Sequence, residues 1–280
     1  MTPLFLTLLA VGVAAIVIAA VRAHRRKVDA AWRYVAEEFG FSYSPAGVFT
    51  LPRLAGEVDG CSVVVEFFRK SSGKHSENRT RYGVSYPEPL SLGLRLTREK
   101  VFAGVAKLFG SQDIEVGNAT FDDAVMVKGD DPAAVLEFLT PARQMRVVRL
   151  LANFDEAVID DSGITWSRRH TETNPSRMGG VIRRLVRNAR ALHQRPDGED
   201  ELDAALTARR EARLDEALEM ARRAAERPEA ASPEAALVEG DILATGGRFH
   251  EAADAYARAG SLEPADAEAT ALAEEARKRA

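Results

Sequence analysis

The chain of 280 residues is 46% hydrophobic and 29% charged with a net charge of −4, a profile that excludes wholesale disorder and leaves room for two modest domains with accessory segments. The single cysteine, Cys61, excludes an internal disulfide and lacks the neighbours of a zinc site. Charge is unevenly placed: Arg168 to Arg195 holds eight arginines against Glu172 alone, whereas Asp197 to Ala280 holds 21 acids against 11 Lys and Arg.

From Pro3 to Val21 the chain runs 19 residues without a charge. As a helix this stretch is about 28 Å long, matching the hydrocarbon core of a bilayer. Arg22, His24, Arg25, Arg26 and Lys27 follow at once, a basic collar that predicts a cytoplasmic location for what comes after. A cleaved export signal would carry its basic residues before the apolar run, although "AVRA" at Ala20 to Ala23 is similar to a cleavage site. The expectation is a single-pass transmembrane anchor over residues 1–27, with residues 3–21 in the lipid of a bacterial-type inner (plasma) membrane and the bulk of the chain cytoplasmic.

"VDAAWRYVAEEFG" sets Ala31, Trp32, Val35 and Phe39 at helical spacing and ends on Gly40. "FSYSP", "PRLAGEV" and "CSVVVEFFRK" read as strands, the last two joined by a tight turn at Asp59-Gly60. "KSSGKHSENR" reads as an exposed loop, "TRYGVSYP", "LSLGLRL" and "AVMVKG" as further strands. "DPAAVLEFL" and "TPARQMRVVRLLANF" are helices, each opened by a capping residue with proline in the first turn, and "EAVIDDSGITWSRR" closes the region as a hairpin. The pattern predicts an α+β domain with a central antiparallel sheet over residues 28–169.

"QDIEVGNATFDDAVMVKGDD", Gln112 to Asp131, with Trp32, the "GEVDG" hairpin and "VIDDSGI", resembles a group of uncharacterised bacterial membrane-anchored domains that carry a phenylalanine-aspartate turn before a V-x-G strand. That resemblance implies a fold and no reaction. Asp113, Asp122, Asp123, Asp130 and Asp131 lack the register of a calcium loop, and Asp122 and Asp130 flank a strand, where carboxylates cap turns. The five histidines show no pair at ligand spacing, and no nucleophile elbow, phosphate-binding loop or dinucleotide fingerprint is present. The sequence calls for no catalytic residue, cofactor or metal.

"MGGVIRRLVRNARALHQR" lies in the basic segment 170–192 and its continuation. It places Met178, Val181, Ile182, Leu185, Val186, Ala189 and Leu192 on one helical face, with Arg183, Arg184, Arg187 and Arg190 largely opposite. Those arginines suit either solvent or anionic headgroups. Nucleic acid is not expected, because no aromatic residues interleave with the basic ones.

After a linker at 193–199, the tail 200–280 repeats itself. "RLDEALEMARRAAERPE" from Arg213 and "RFHEAADAYARAGSLEP" from Arg248 superpose at a shift of 35. This period, with Gly240, Leu243, Phe249, Ala252, Tyr256, Ala259 and the stop at Pro264, resembles the tetratricopeptide-repeat family, whose helix-turn-helix unit recurs about every 34 residues. The small residues allow close helix approach and the larger ones fill between, with Asp266 to Ala280 as a cap. The resemblance implies C-terminal all-α helical hairpins with a groove for a protein or peptide partner. The expected function is a membrane-anchored adaptor. Two alternatives stand beside it: a ligand-binding or enzymatic α+β domain braced by the repeats, and a homo-oligomeric envelope component.

Overall fold

The computed structural model describes residues 3–47, 50–72, 75–98, 113–227, 233–262 and 267–280, with the side chains of 3–14, 17, 72, 75, 267 and 268 outside that description. The first half of the order is α1 (Pro3–Phe39), β1 (Ser42–Ser44), β2 (Arg53–Val58), β3 (Cys61–Ser72), β4 (His75–Ser85), β5 (Arg95–Arg98), α2 (Ala119–Asp122), β6 (Val125–Lys128), α3 (Pro132–Phe138) and α4 (Pro141–Asn153). The second half is β7 (Val158–Asp160), β8 (Gly163–Arg169), α5 (Pro175–His193), α6 (Glu199–Arg210), α7 (Leu214–Glu226), α8 (Pro233–Thr245), α9 (Phe249–Leu262) and α10 (Ala267–Arg279). Contacts divide the chain into two units, Met1–Glu88 with Gly163–Ala189, and Pro89–Ser162 with Arg190–Ala280.

In the first unit, β1, β2, β3, β4 and β8 form successive antiparallel pairs. Strand alternation puts Val63 and Val65 of β3 and Tyr82 and Val84 of β4 in the core, joined by Leu54 and Ile164. The β2–β3 turn uses Asp59 at φ 49° and Gly60 at φ 79°, the positive pair that matches hairpin twist. Most of the polar "KSSGKHSENR" is strand rather than loop: β3 continues to Ser72 and β4 begins at His75, in register from Arg69↔Asn78 to Ser72↔His75, with residues 73 and 74 outside the described residues. Backbone pairing satisfies amides and carbonyls whatever the side chains, so a polar run extends the hairpin as well as an apolar one.

The expected transmembrane anchor, and with it the inner-membrane location, is corrected by the structure. Among the described residues no helix is long and apolar enough to cross a membrane. Helix α1 does not stop at the basic collar but carries Arg22 to Lys27 within one 37-residue helix that ends at Phe39. Its last turns belong to the core of the first unit, with Trp32 and Val35 fully buried and Val28, Ala31 and Ala36 nearly so. Most of the side chains of the expected span, residues 3–14 and 17, lie outside the described residues. The fold class is therefore α+β with an all-α carboxy-terminal array, and among the described residues no helix supplies the expected transmembrane element.

Helix α5 buries Met178, Ile182, Leu185, Val186, Ala189 and Leu192, the face its periodicity predicts. Trp32 Nε1 donates to the carbonyl of Glu172 just before α5 at 3.0 Å. Glu38 pairs with Arg183, whose guanidinium lies 5.0 Å from the Phe39 ring centroid.

In the second unit, β5 pairs antiparallel with both β6 and β7. Helices α3 and α4 begin as the sequence predicts: Asp131 accepts from the amide of Ala133 at 2.9 Å and Thr140 from that of Arg143 at 3.4 Å. Helices α6 to α10 form the remainder, each packed on its neighbour in chain order, with α6 also reaching α8 and α4.

Candidate functional site: a charged helical array

The helices of the array recur at the shift the sequence shows. Moving α6 (Glu199–Arg210) and α7 (Leu214–Glu226) forward by 35 residues places them on α8 (Pro233–Thr245) and α9 (Phe249–Leu262) to within a residue at each end. The same ion pair recurs too, Arg213 with Glu216 and Arg248 with Glu251. Crossings are made by alanine: Ala205, Ala217, Ala221, Ala252, Ala255, Ala259 and Ala269 are fully buried in one core.

The residues singled out in the tail converge in that core. Gly240, Leu243, Ala252, Tyr256 and Ala259 are buried, and Phe249 is half-buried. A Cβ on Gly240 would lie 2.5 Å from Tyr256 Cε1, so the absent side chain is what admits the ring. The turn at Gly246-Gly247 is closed by the amide of Arg248 donating to the carbonyl of Leu243 at 2.8 Å. Pro264, and Pro228 one repeat earlier, lie outside the described residues.

Helix α8 is the centre of the array, with every residue from Pro233 to Gly240 buried. A helix apolar on nearly all sides requires burial on nearly all sides, and its two buried carboxylates each need partners. Glu239 accepts from Arg222 at 3.1 Å and also from Arg258. Two positions on, Asp241 accepts from the Tyr256 hydroxyl at 2.9 Å and from Arg209 at 3.1 Å. Burial, and then the neighbouring Asp241 charge, push the Tyr256 phenol above its usual value, so it stays a donor.

The second carboxylate, Glu234, points to a feature absent from the sequence reading. Arg146 of α4 is 4% exposed and lies between Glu199 of α6, at 3.2 Å, and Glu234 of α8, at 3.9 Å. Arg143 Nε faces Glu199 Oε1 at 3.5 Å as an ion pair without hydrogen-bond geometry. Burial pulls the Arg143 guanidinium down from its usual value, opposed by the Glu199 charge. Sequence patterning treats arginines on a helix as solvated, but one signal was present: Glu199 and Glu234 are themselves related by the 35-residue shift.

Beside this cluster, where α6 begins, lies an open depression of about 480 Å³ lined by Arg195, Asp197, Gly198, Asp200, Glu201, Ala204, Met220 and Arg227. Arg195 is held by Asp200 at 2.7 Å and Asp203 at 2.8 Å, and Arg227 pairs with Glu201. Residues 193–199, read as a linker from sequence, thus include one wall of this groove and the buried Glu199.

The acids of the middle region are used by the backbone. Asp113 accepts from the amide of Val127 at 3.0 Å, and Asp122 accepts from those of Val116 at 3.0 Å and Asn118 at 3.1 Å. Asp131 caps α3, and the Asp130 carboxylate packs over Gly93. Asp122 and Asp131 act on local backbone, whereas Asp113 and Asp130 reach segments distant in the chain. Among the described residues no group of three or more His, Cys, Asp or Glu could hold a metal ion. Of the arginines of α5, Arg183 pairs with Glu38 in the first unit, to which Arg184 and Arg187 also belong, and Arg190 begins the second stretch of the other.

No protein-family model, no curated protein and no solved structure matches the chain, so the likeness to tetratricopeptide repeats rests on the sequence period and residues alone.

Proposed function

We propose that the chain is a protein-binding adaptor, with the array α6–α10 as its docking layer and a segment rich in basic residues as its partner. The observation that carries this reading is the recurrence of a two-helix unit at 35 residues, in helix boundaries and in the repeated ion pair. Stacked units of this kind bury a continuous core and leave an extended surface whose side chains are free to serve recognition. The segment that carries it is acidic in sequence, with 21 acids against 11 Lys and Arg from Asp197 to Ala280, of which Glu199, Glu234 and Glu239 are buried. The depression at the start of α6 supplies a concave part of the surface, with Asp197, Asp200 and Glu201 around the apolar side chain of Met220, Asp200 paired with Arg195 and Glu201 with Arg227. Opposite charge favours encounter and register, and the partly apolar floor supplies area.

The test is selection of random twelve-residue peptides on the immobilised full-length chain, with counter-selection on the Asp197→Lys, Asp200→Lys, Glu201→Lys variant. Enrichment of lysine- and arginine-rich peptides that bind at least tenfold more weakly to the variant is the expected result. Failure to enrich any peptide, or equal binding to both chains, overturns the reading.

A further inference from the structure

Helix α4 sits on the array as a bound ligand would. Ala142 is fully buried within the array's core and Met145 packs against it. The amide of Ala142, in the first turn of α4, donates to Asp203 Oδ1 at 2.7 Å, so a side chain of the array caps the end of the helix. Gln144 accepts from Arg210 of α6 at 3.3 Å, and Arg143 and Arg146 reach the buried Glu199 and Glu234. Glu199, Asp203 and Arg210 are one face of α6 at helical spacing, while Asp200, Glu201 and Ala204 line the neighbouring groove.

We infer that the face made by α6, from Glu199 to Arg210, and the first turn of α8 is a receptor for a helix bearing two arginines three residues apart beside small apolar side chains. In this structure α4 fills it; a partner helix of the same chemistry competes with α4 for it. Three observations converge on this. The two receptor carboxylates are repeat-equivalent positions, Glu199 and Glu234, so the array supplies the same group twice on one side. Buried ion pairs lose much of their attraction to desolvation, so where apolar packing would hold as well, they serve selection among helices rather than strength. The contacts with α6 and α8 named above run between side chains of the array and one short helical segment, Ala142 to Arg146, which a foreign helix can reproduce. This inference rests on the reading of the array as a polypeptide-binding layer but uses the face of α6 beside the groove, the two sharing Arg195 at their edge.

The probe is a fluorescent synthetic peptide of residues 138–154, titrated against the full-length chain. The wild-type chain, with its own α4 in place, is expected to bind it weakly. The Arg143→Ala, Arg146→Ala chain, whose resident helix has lost its ion pairs, is expected to bind it at least tenfold more tightly. Adding Glu199→Gln and Glu234→Gln removes that gain, and a peptide with both arginines replaced by alanine does not bind. A folded double-arginine variant with no gain, or equal binding of the arginine-free peptide, overturns the proposal. If that variant does not fold, the Arg143→Lys, Arg146→Lys chain keeps the charges but loses the planar fork, and a gain below threefold overturns it equally. The groove variant is read separately: none of its three residues pairs with Arg143 or Arg146, and Arg195, which lines the groove and also pairs with Glu199 and Asp203, is kept in every chain.

Discussion

The ring of Tyr256 lies where a side chain on Gly240 would have to be: an added Cβ would meet ring carbons at 2.5 and 2.6 Å. The hydroxyl of the same tyrosine donates to Asp241, one residue further along α8, so the ring is fixed at both ends. Gly240 is mid-helix, where glycine is worth about 1 kcal/mol less than alanine, and its presence there is explained by the α8–α9 contact.

Gly240→Ala therefore sets a propensity gain of about 1 kcal/mol against overpacking of roughly 1–3 kcal/mol in a core with no slack. The clash is well inside the closest normal contact, so the second effect wins and the chain is expected to lose stability. Paired with Tyr256→Leu, the substitution should be markedly less harmful than the sum of the two single changes. Urea denaturation of the four chains measures this coupling, and strict additivity would show that the ring is not what excludes the methyl.

In the first unit, Trp32 is fully buried and its indole N–H satisfies the carbonyl of Glu172. Trp32→Phe keeps most of the apolar volume but leaves that carbonyl buried without its donor, a loss of about 1–3 kcal/mol. The denaturation midpoint should fall accordingly, followed through the remaining Trp166.

Asp29 joins α1 to β1, accepting from Arg33 at 2.8 Å and from the Tyr43 hydroxyl at 2.9 Å. The Arg33 hydrogen bond, opposed by partial burial and helped by Tyr43, holds its carboxyl below the ordinary value of 3.8. A depressed folded-state value means that the contribution is fully present above the unfolded value and is lost as pH falls through the folded one. The site is largely exposed, so solvent and salt screen it and the effect is small. Stability measured downward from pH 5 should decline less steeply in Asp29→Asn than in wild type, and identical slopes would remove the assignment.

Local structure was legible where a short stretch determines it. Asp131 and Thr140 announce α3 and α4, Asp59-Gly60 announces the hairpin, and the spacing of Met178, Ile182, Leu185 and Ala189 announces the buried face of α5. The period of the tail was also visible, because repetition is a property of the sequence itself. What could not be read depends on distant partners. Arg146 looks like any solvated arginine until Glu199, 53 positions away, and Glu234 are brought to it. The apolar start of the chain read as a membrane span because periodicity does not say where a helix stops, and α1 continues through its charged turn into the core around Trp32. The carboxylates at Asp113 and Asp122 looked like a cluster in sequence, but the fold turns each toward a different backbone amide.

The central claim is that the array, and not the sheet of the first unit, receives a polypeptide. Hydrogen exchange of the full-length chain, read with and without a saturating basic peptide obtained by the selection above, tests it most directly. Protection confined to residues 195–227, with β2 to β4 unchanged, is the predicted result. Protection of β2 to β4 with the array unaffected would contradict the account.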